Sequence, residues 1–101
     1  MGYQRYAVRK DGNHAQIVKE LRMLGLSVLD ISTVKNACDL VVSNGDRTIL
    51  FEVKDPAKMK KTRVDMLTEG ELKFRESWRG EYYIVFSTTE IVQIFNREFT
   101  E

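Results

Sequence analysis

The chain has few of the residues that stabilise small folds through disulfides or bound metal ions. Its 101 residues include one cysteine (Cys38), one histidine (His14) and one proline (Pro56). A single cysteine excludes a disulfide within the chain and favours a reducing compartment, so we expect a cytoplasmic protein. One cysteine and one histidine are also too few ligands for a structural zinc site within one chain. The fold must therefore rest on its hydrophobic core.

Long apolar runs are missing as well. No stretch approaches the roughly 20 apolar residues of a membrane-spanning helix, and the N-terminal residues lack the apolar segment of a signal peptide. We therefore expect no membrane partner. Apolar residues make up 43% of the chain and charged residues 31%, as is typical of a globular protein. At this length we expect a single domain, residues 1–101, with one core.

The whole chain has no large excess of either charge, but its two parts differ in charge. Sixteen Lys and Arg residues nearly balance fifteen Asp and Glu residues, which gives a net charge of +1. Residues 1–63, however, hold twelve basic and seven acidic residues, whereas residues 64–101 hold four and eight. This asymmetry permits nucleic-acid binding on one face of the domain.

Hydrophobic periodicity, caps and turn residues predict the element order α-β-β-β-α-β-α. We expect an α/β (α+β) fold with a mixed central sheet. An antiparallel three-strand meander would be extended by the last strand, through a right-handed crossover that contains the second helix. Three pairs resemble capping boxes: Asn13 with Gln16, Thr68 with Glu71, and Ser87 with Glu90. The predicted elements are helices at 13–25, 68–80 and 87–95, and strands at 26–32, 40–42, 49–53 and 82–86.

The hairpin at 38–55 carries the most informative charges. Its two strands are apolar on both faces, which is typical of strands inside a covered sheet, and an Asn-Gly pair between them is a strong hairpin signal. Asp39, Glu52 and Lys54 nevertheless occur in these strands, where a charge is costly unless something pairs with it or binds it. Two carboxylates beside the backbone carbonyl of Val53 would suit a hard divalent cation, which prefers oxygen ligands.

The turn decides whether these charges meet. With Asn44-Gly45 at the tip, Glu52 becomes a diagonal neighbour of Asp39; with Gly45-Asp46 at the tip, the two face each other directly. A three-residue loop would move Asp39 to the opposite face of the sheet. Ordinary strand-end acids beside a solvated lysine would give the same sequence pattern, although the apolar flanking residues favour a site.

Four stretches in this order resemble the PD-(D/E)xK nuclease superfamily, and within it the small VRR-NUC and Holliday-junction-resolvase-like nucleases. They are Asn-x-x-x-Ile-Val-x-x-Leu-Arg-x-x-Gly at 13–25, Cys-Asp-Leu at 38–40, Phe-Glu-Val-Lys-Asp at 51–55, and Leu-Thr-x-x-Glu-x-x-Phe at 67–74 followed by Trp78. Cys38 stands where the family name has proline. The first helix also lacks the glutamate found in many such nucleases, and His14 and Gln16 occupy the candidate positions.

The resemblance implies a restriction-endonuclease-like core. It also implies a homodimeric, metal-dependent endonuclease that acts on branched or duplex DNA. In that reading Asp39, Glu52 and the Val53 carbonyl hold Mg²⁺ or Mn²⁺, and Lys54 stabilises the attacking hydroxide or the charge on phosphorus. Gln16 would help to orient a water or would coordinate through its carbonyl oxygen. The dimer contact could use apolar residues of the C-terminal region, Ile94, Phe95 and Phe99, or the second helix.

Basic residues around the site are candidates for phosphate contact. An N-terminal arm and a connector after the hairpin carry most of them, although a loosely ordered arm and a solvated loop would show the same composition. The candidates are Arg5, Arg9, Lys10, Lys35, Lys58, Lys60, Lys61 and Arg63. Two other functions fit the sequence: a non-catalytic nucleic-acid-binding module with a degenerate nuclease site, and an interaction subunit of a larger nuclease complex.

Overall fold

The computed structural model describes residues 12–100 as a small mixed α+β protein with a four-strand mixed sheet and three helices. The predicted order α-β-β-β-α-β-α is confirmed, with two short 3-10 turns between the third strand and the second helix. The elements are α1 (His14–Met23), β1 (Ser27–Asp30), β2 (Leu40–Ser43), β3 (Thr48–Val53), 3-10 turns at Pro56–Lys58 and Val64–Met66, α2 (Glu69–Ser77), β4 (Tyr82–Val85) and α3 (Thr88–Phe95).

The strands lie in the sheet in chain order. The pairs β1–β2 and β2–β3 are antiparallel, whereas β4 lies parallel to β3 after the passage through α2. The predicted meander and the addition of the last strand beside it are therefore confirmed. Five of the six residues of β3 are buried, because this strand has a neighbour on each side and helices on both faces.

The core fills the face of the sheet that packs against α1 and α3. Alternate residues of the strands point to this face and meet apolar residues spaced three or four apart on the helices. The buried cluster consists of Ile17, Val18, Leu21, Leu40, Val42, Ile49, Phe51, Val53, Val85, Ile91 and Ile94. Ile94 is only 3% exposed, and Phe95 and Phe99 pack against the cluster. These three candidate dimer residues therefore serve the core, and the homodimer stays a prediction.

The β2–β3 turn selects one of the two predicted registers. The backbone N–H of Asn44 donates to the carbonyl of Arg47, so Gly45 and Asp46 are the central residues. Gly45 has a φ of +99°, which is typical of the first central position of a type II′ turn and is accessible to glycine. Leu40 then pairs with Phe51, and the Asp39 N–H donates to the carbonyl of Phe51. Asp39 and Glu52, the next residues along the two strands, come close enough for their carboxyl groups to hydrogen-bond.

The observed helix caps agree with the predicted capping boxes only in part. Thr68 and Glu71 form the predicted capping box of α2. Asn13 is the N-cap residue of α1, but its side chain makes no cap hydrogen bond; its amide donates instead to the carbonyls of Lys54 and Phe86. The predicted box with Gln16 is therefore wrong, because the tertiary contact takes the Asn13 side chain. None of the helices in residues 12–100 is long and apolar enough to cross a membrane.

Candidate functional site

Asp39, Glu52 and Lys54 share the face of the sheet that lies under α2. The carboxyl groups of Asp39, just before β2, and of Glu52 in β3 hydrogen-bond to each other. Lys54 follows Glu52 by two residues, which keeps its side chain on the same face. The Asp39 carboxylate accepts a 2.8 Å hydrogen bond from the backbone N–H of Val53. Glu52 is only 2% exposed, so the sequence pattern marks a buried charge rather than solvated strand-end acids.

A fourth charged residue, Glu71, completes the group. The Lys54 Nζ donates to Glu71 Oε1 at 2.9 Å and lies 3.8 Å from Glu52 Oε2. Glu71 is supplied by the first turn of α2 and was not among the predicted site residues. In the sequence it was the capping partner of Thr68 and part of the stretch at 67–74 that carries the resemblance, and neither pattern relates it to Lys54.

Burial and like charge dominate the electrostatics of the carboxylates. Burial, followed by the negative charge of Asp39, raises the pKa of Glu52 far above its usual range. Burial also acts to raise the pKa of Glu71, but hydrogen bonds from the backbone N–H of Thr68 and from Lys54 outweigh it, so this pKa is lowered. The site therefore combines an ionised Glu71 with a Glu52 that requires a proton or a cation.

These groups border a cavity of about 170 Å³ between the β1–β2 loop and the start of α2. Its lining includes Lys35, Asn36, Cys38, Asp39, Glu52 and Glu71. The β1–β2 loop and the start of α2 pack closely against each other: a Cβ atom at Gly70 would collide with the side chain of Asn36. Burial, with the charges of Glu52 and Asp39, raises the pKa of the Cys38 thiol to about 11, which disfavours the thiolate.

The carboxylates have the chemistry that Mg²⁺ or Mn²⁺ requires. Asp39 and Glu52 offer oxygen ligands. The raised pKa of Glu52 reflects first its burial and then the charge of Asp39, and a bound cation would favour the ionised carboxylate. Val53, whose carbonyl is the predicted third ligand, is buried in β3. Within residues 12–100, however, no group of three or more His, Cys, Asp or Glu side chains is arranged to hold a metal ion. The predicted metal site therefore has two candidate carboxylate ligands and one candidate backbone oxygen.

The two α1 candidates lie elsewhere. Gln16 is exposed, donates to Glu20 at 2.8 Å and does not line the cavity, so the structure does not bring it to the carboxylates. His14 is 2% exposed, and its Nε2 lies 3.1 Å from Asp30 Oδ2. Because Asp30 pairs with Leu40, it lies on the α1 face of the sheet, opposite to the face of Glu52.

Of the predicted phosphate-contacting residues, Arg63 does not fit the role. Its guanidinium makes two hydrogen bonds to Glu90 and lies 4.0 Å above the ring of Phe86, with its side chain 14% exposed. These internal partners occupy its charge and disfavour DNA contact, and the assignment of Arg63 to DNA contact stays a prediction. The exposed lysines remain candidates: Lys35 at the cavity, and Lys58, Lys60 and Lys61 in the connector. Arg5, Arg9 and Lys10 lie outside the described residues.

Comparisons of the chain with protein-family models, with curated proteins and with solved structures found no match.

Proposed function

We propose that this chain is a metal-dependent DNA endonuclease with a restriction-endonuclease-like core, structure-selective in the manner of the Holliday-junction-resolvase-like nucleases. One observation carries the proposal: the carboxyl groups of Asp39 and Glu52 meet at a cavity, and the Lys54 ammonium lies 3.8 Å from Glu52. The order of helix, meander, helix and strand supports the same assignment.

The residues present fit Mg²⁺ or Mn²⁺, because a buried carboxylate beside a second one needs a compensating positive charge. When bound, such an ion supplies a Lewis acid for a phosphoryl oxygen and for a water molecule. Asp39 is already held by the Val53 N–H, so this ligand needs little reorganisation. Lys54 places an ammonium beside Glu52, where it can stabilise the charge that develops on phosphorus or on the attacking oxygen.

Cleavage of labelled DNA tests the proposal. Duplex, nicked, flapped and four-way-junction substrates are incubated with Mg²⁺ or Mn²⁺, and nicking is expected only with the ion. Lys54→Ala should keep DNA affinity and lose about 10²–10³-fold in cleavage rate, the usual effect of removing one preorganised group. Lys73→Ala, an exposed lysine on α2, is the matched control and should cleave normally. Normal turnover by Lys54→Ala would remove this lysine from the mechanism.

A second candidate is a non-catalytic nucleic-acid-binding module. The observation that favours it is the hydrogen bond of Gln16 to Glu20, since Gln16 then adds no metal ligand to Asp39 and Glu52. This candidate predicts DNA binding without cleavage in any divalent ion, and binding that is unchanged in Asp39→Asn.

A further inference from the structure

Glu71 connects the start of α2 to the side chain of Lys54 through a single oxygen. Its Oε1 accepts from the backbone N–H of Thr68 at 2.9 Å and from the Lys54 Nζ at 2.9 Å. The Thr68 hydroxyl in turn accepts from the backbone N–H of Glu71. The carboxylate is therefore anchored by its own helix cap at the same point where it holds the lysine.

We infer that Glu71 is a positioning residue that fixes the Lys54 ammonium beside Glu52. The effect of this positioning on catalysis rests on the proposed nuclease function. The Glu71–Lys54 contact does not depend on that function, because it can be measured without a cleavage assay.

Helix capping alone does not explain this arrangement. A capping glutamate needs to reach only the backbone of its own helix, so its carboxylate can remain in solvent. Here the Glu71 side chain is 23% exposed and the Lys54 side chain 14% exposed, and Glu71 also lines the cavity. A long lysine side chain loses much rotamer freedom when it is held, so an ordered position needs a partner of this kind.

The loss of Glu71 has a specific consequence for Glu52. The Lys54 Nζ is 3.8 Å from Glu52 Oε2, so a lysine released by Glu71 can close this gap and form a tight pair with Glu52. That pair would occupy a carboxylate proposed to hold the cation. Glu71 thus holds the Lys54 ammonium 3.8 Å from Glu52 and leaves Glu52 available to the cation.

Three variants separate positioning from capping. Glu71→Ala removes the acceptor for both donors. Glu71→Gln keeps an oxygen at the same place, so it should hold Lys54 as the carboxylate does. Thr68→Ala removes only the hydroxyl cap and weakens the start of α2, which makes it the control for a purely structural role.

The first measurement is the order of the Lys54 side chain, by NMR relaxation of its ¹³C-labelled ε-carbon. We expect an ordered side chain in the unmodified chain, in Glu71→Gln and in Thr68→Ala, and a mobile or displaced one in Glu71→Ala. Equal order together with an unchanged chemical shift of the ε-carbon, in Glu71→Ala and in the unmodified chain, would overturn the inference. So would equal loss of order in Thr68→Ala, since capping alone would then account for the effect.

The second measurement is cleavage, with kcat and KM determined separately. Glu71→Ala should lower kcat by about 10–100-fold, as is typical for a residue that orients a ligand or catalytic group, with KM for DNA unchanged. Glu71→Gln should recover most of kcat, and Thr68→Ala should retain it. A higher kcat in Glu71→Ala would overturn the inference, because Glu71 would then restrain Lys54. If the unmodified chain cleaves no DNA, the proposed function fails, while the NMR measurement still decides the role of Glu71.

Discussion

The carboxylate of Asp39 accepts a hydrogen bond from the backbone N–H of Val53, one residue beyond Glu52 on the neighbouring strand. This bond joins β2 to β3 at the point where the two acids face each other. Asp39 is therefore held by the sheet backbone, so its position depends on the register of the hairpin and not on a flexible loop.

Asp39→Asn should separate the structural role of this residue from its charge. The asparagine oxygen can still accept from Val53 N–H, so we expect the fold to persist, while metal-dependent cleavage falls by about 10²-fold or more, as for other preorganised electrostatic groups. Circular dichroism and plasmid nicking measure the two effects. Asp46→Asn, in the exposed turn, is the control and should behave as the unmodified chain.

Glu52→Gln should stabilise the metal-free protein at neutral and alkaline pH. Burial and Asp39 raise the pKa of Glu52 in the folded state, so between its unfolded and folded pKa values the folded protein binds more protons than the unfolded chain. The contribution of Glu52 to stability is thus fully present below about pH 4 and is lost as the pH rises toward the folded pKa. A glutamine removes this dependence, and its amide can donate to Asp39.

Urea unfolding at several pH values, without divalent ions, measures this effect. We expect Glu52→Gln to gain about 1–2 kcal/mol near pH 8, the range of single stabilising substitutions, and to lose the stabilisation that Mg²⁺ or Mn²⁺ gives the unmodified chain. Glu69→Gln, an exposed acid on α2, should have no such effect. Equal stability of Glu52→Gln and the unmodified chain at all pH values would show that ionised Glu52 does not destabilise the fold.

The sequence predicted those parts of the fold that depend on neighbouring residues. Periodicity and turn chemistry placed every helix and strand of the described region to within a few residues, because each signal acts over a few positions. The hairpin turn left two registers open, and the structure selects the one with Gly45-Asp46 at the tip. In that register Asp39 faces Glu52 directly, so the central pair of the site followed from local chemistry.

The remaining site contacts join residues far apart in sequence. Lys54 meets Glu71 seventeen residues later, and Arg63 meets Glu90 twenty-seven residues later. Ion pairs between residues so far apart leave no periodic pattern in the sequence. Each charged residue was therefore explained by its neighbours in the chain. Glu71 was assigned to a helix cap and Arg63 to a basic connector. The burial of His14 was missed for the same reason, since its partner Asp30 lies on another element.

Arg63→Ala should be strongly destabilising. The substitution leaves Glu90 half-buried without its bidentate partner and removes the contact with the Phe86 ring, and breaking such a pair costs about 3 kcal/mol or more. Arg63→Lys should recover only part of the loss, because an ammonium cannot make the planar two-point contact. Thermal or urea unfolding measures the change. Lys61→Ala, from the exposed part of the connector, is the control and should lie within about 0.5 kcal/mol of the unmodified chain.

The salt dependence of DNA binding should distinguish the exposed lysines of the connector from Arg63. Each phosphate neutralised contributes a slope of about −0.9 to the plot of log affinity against log salt. Replacing Lys58, Lys60 or Lys61 with alanine should therefore flatten the slope and weaken binding to all DNA sequences alike. Arg63→Lys, in which Glu90 still faces a cation, should leave the slope unchanged once folding is verified. A slope that flattens in Arg63→Lys but not in the lysine variants would place phosphate contact on the arginine and reverse this assignment.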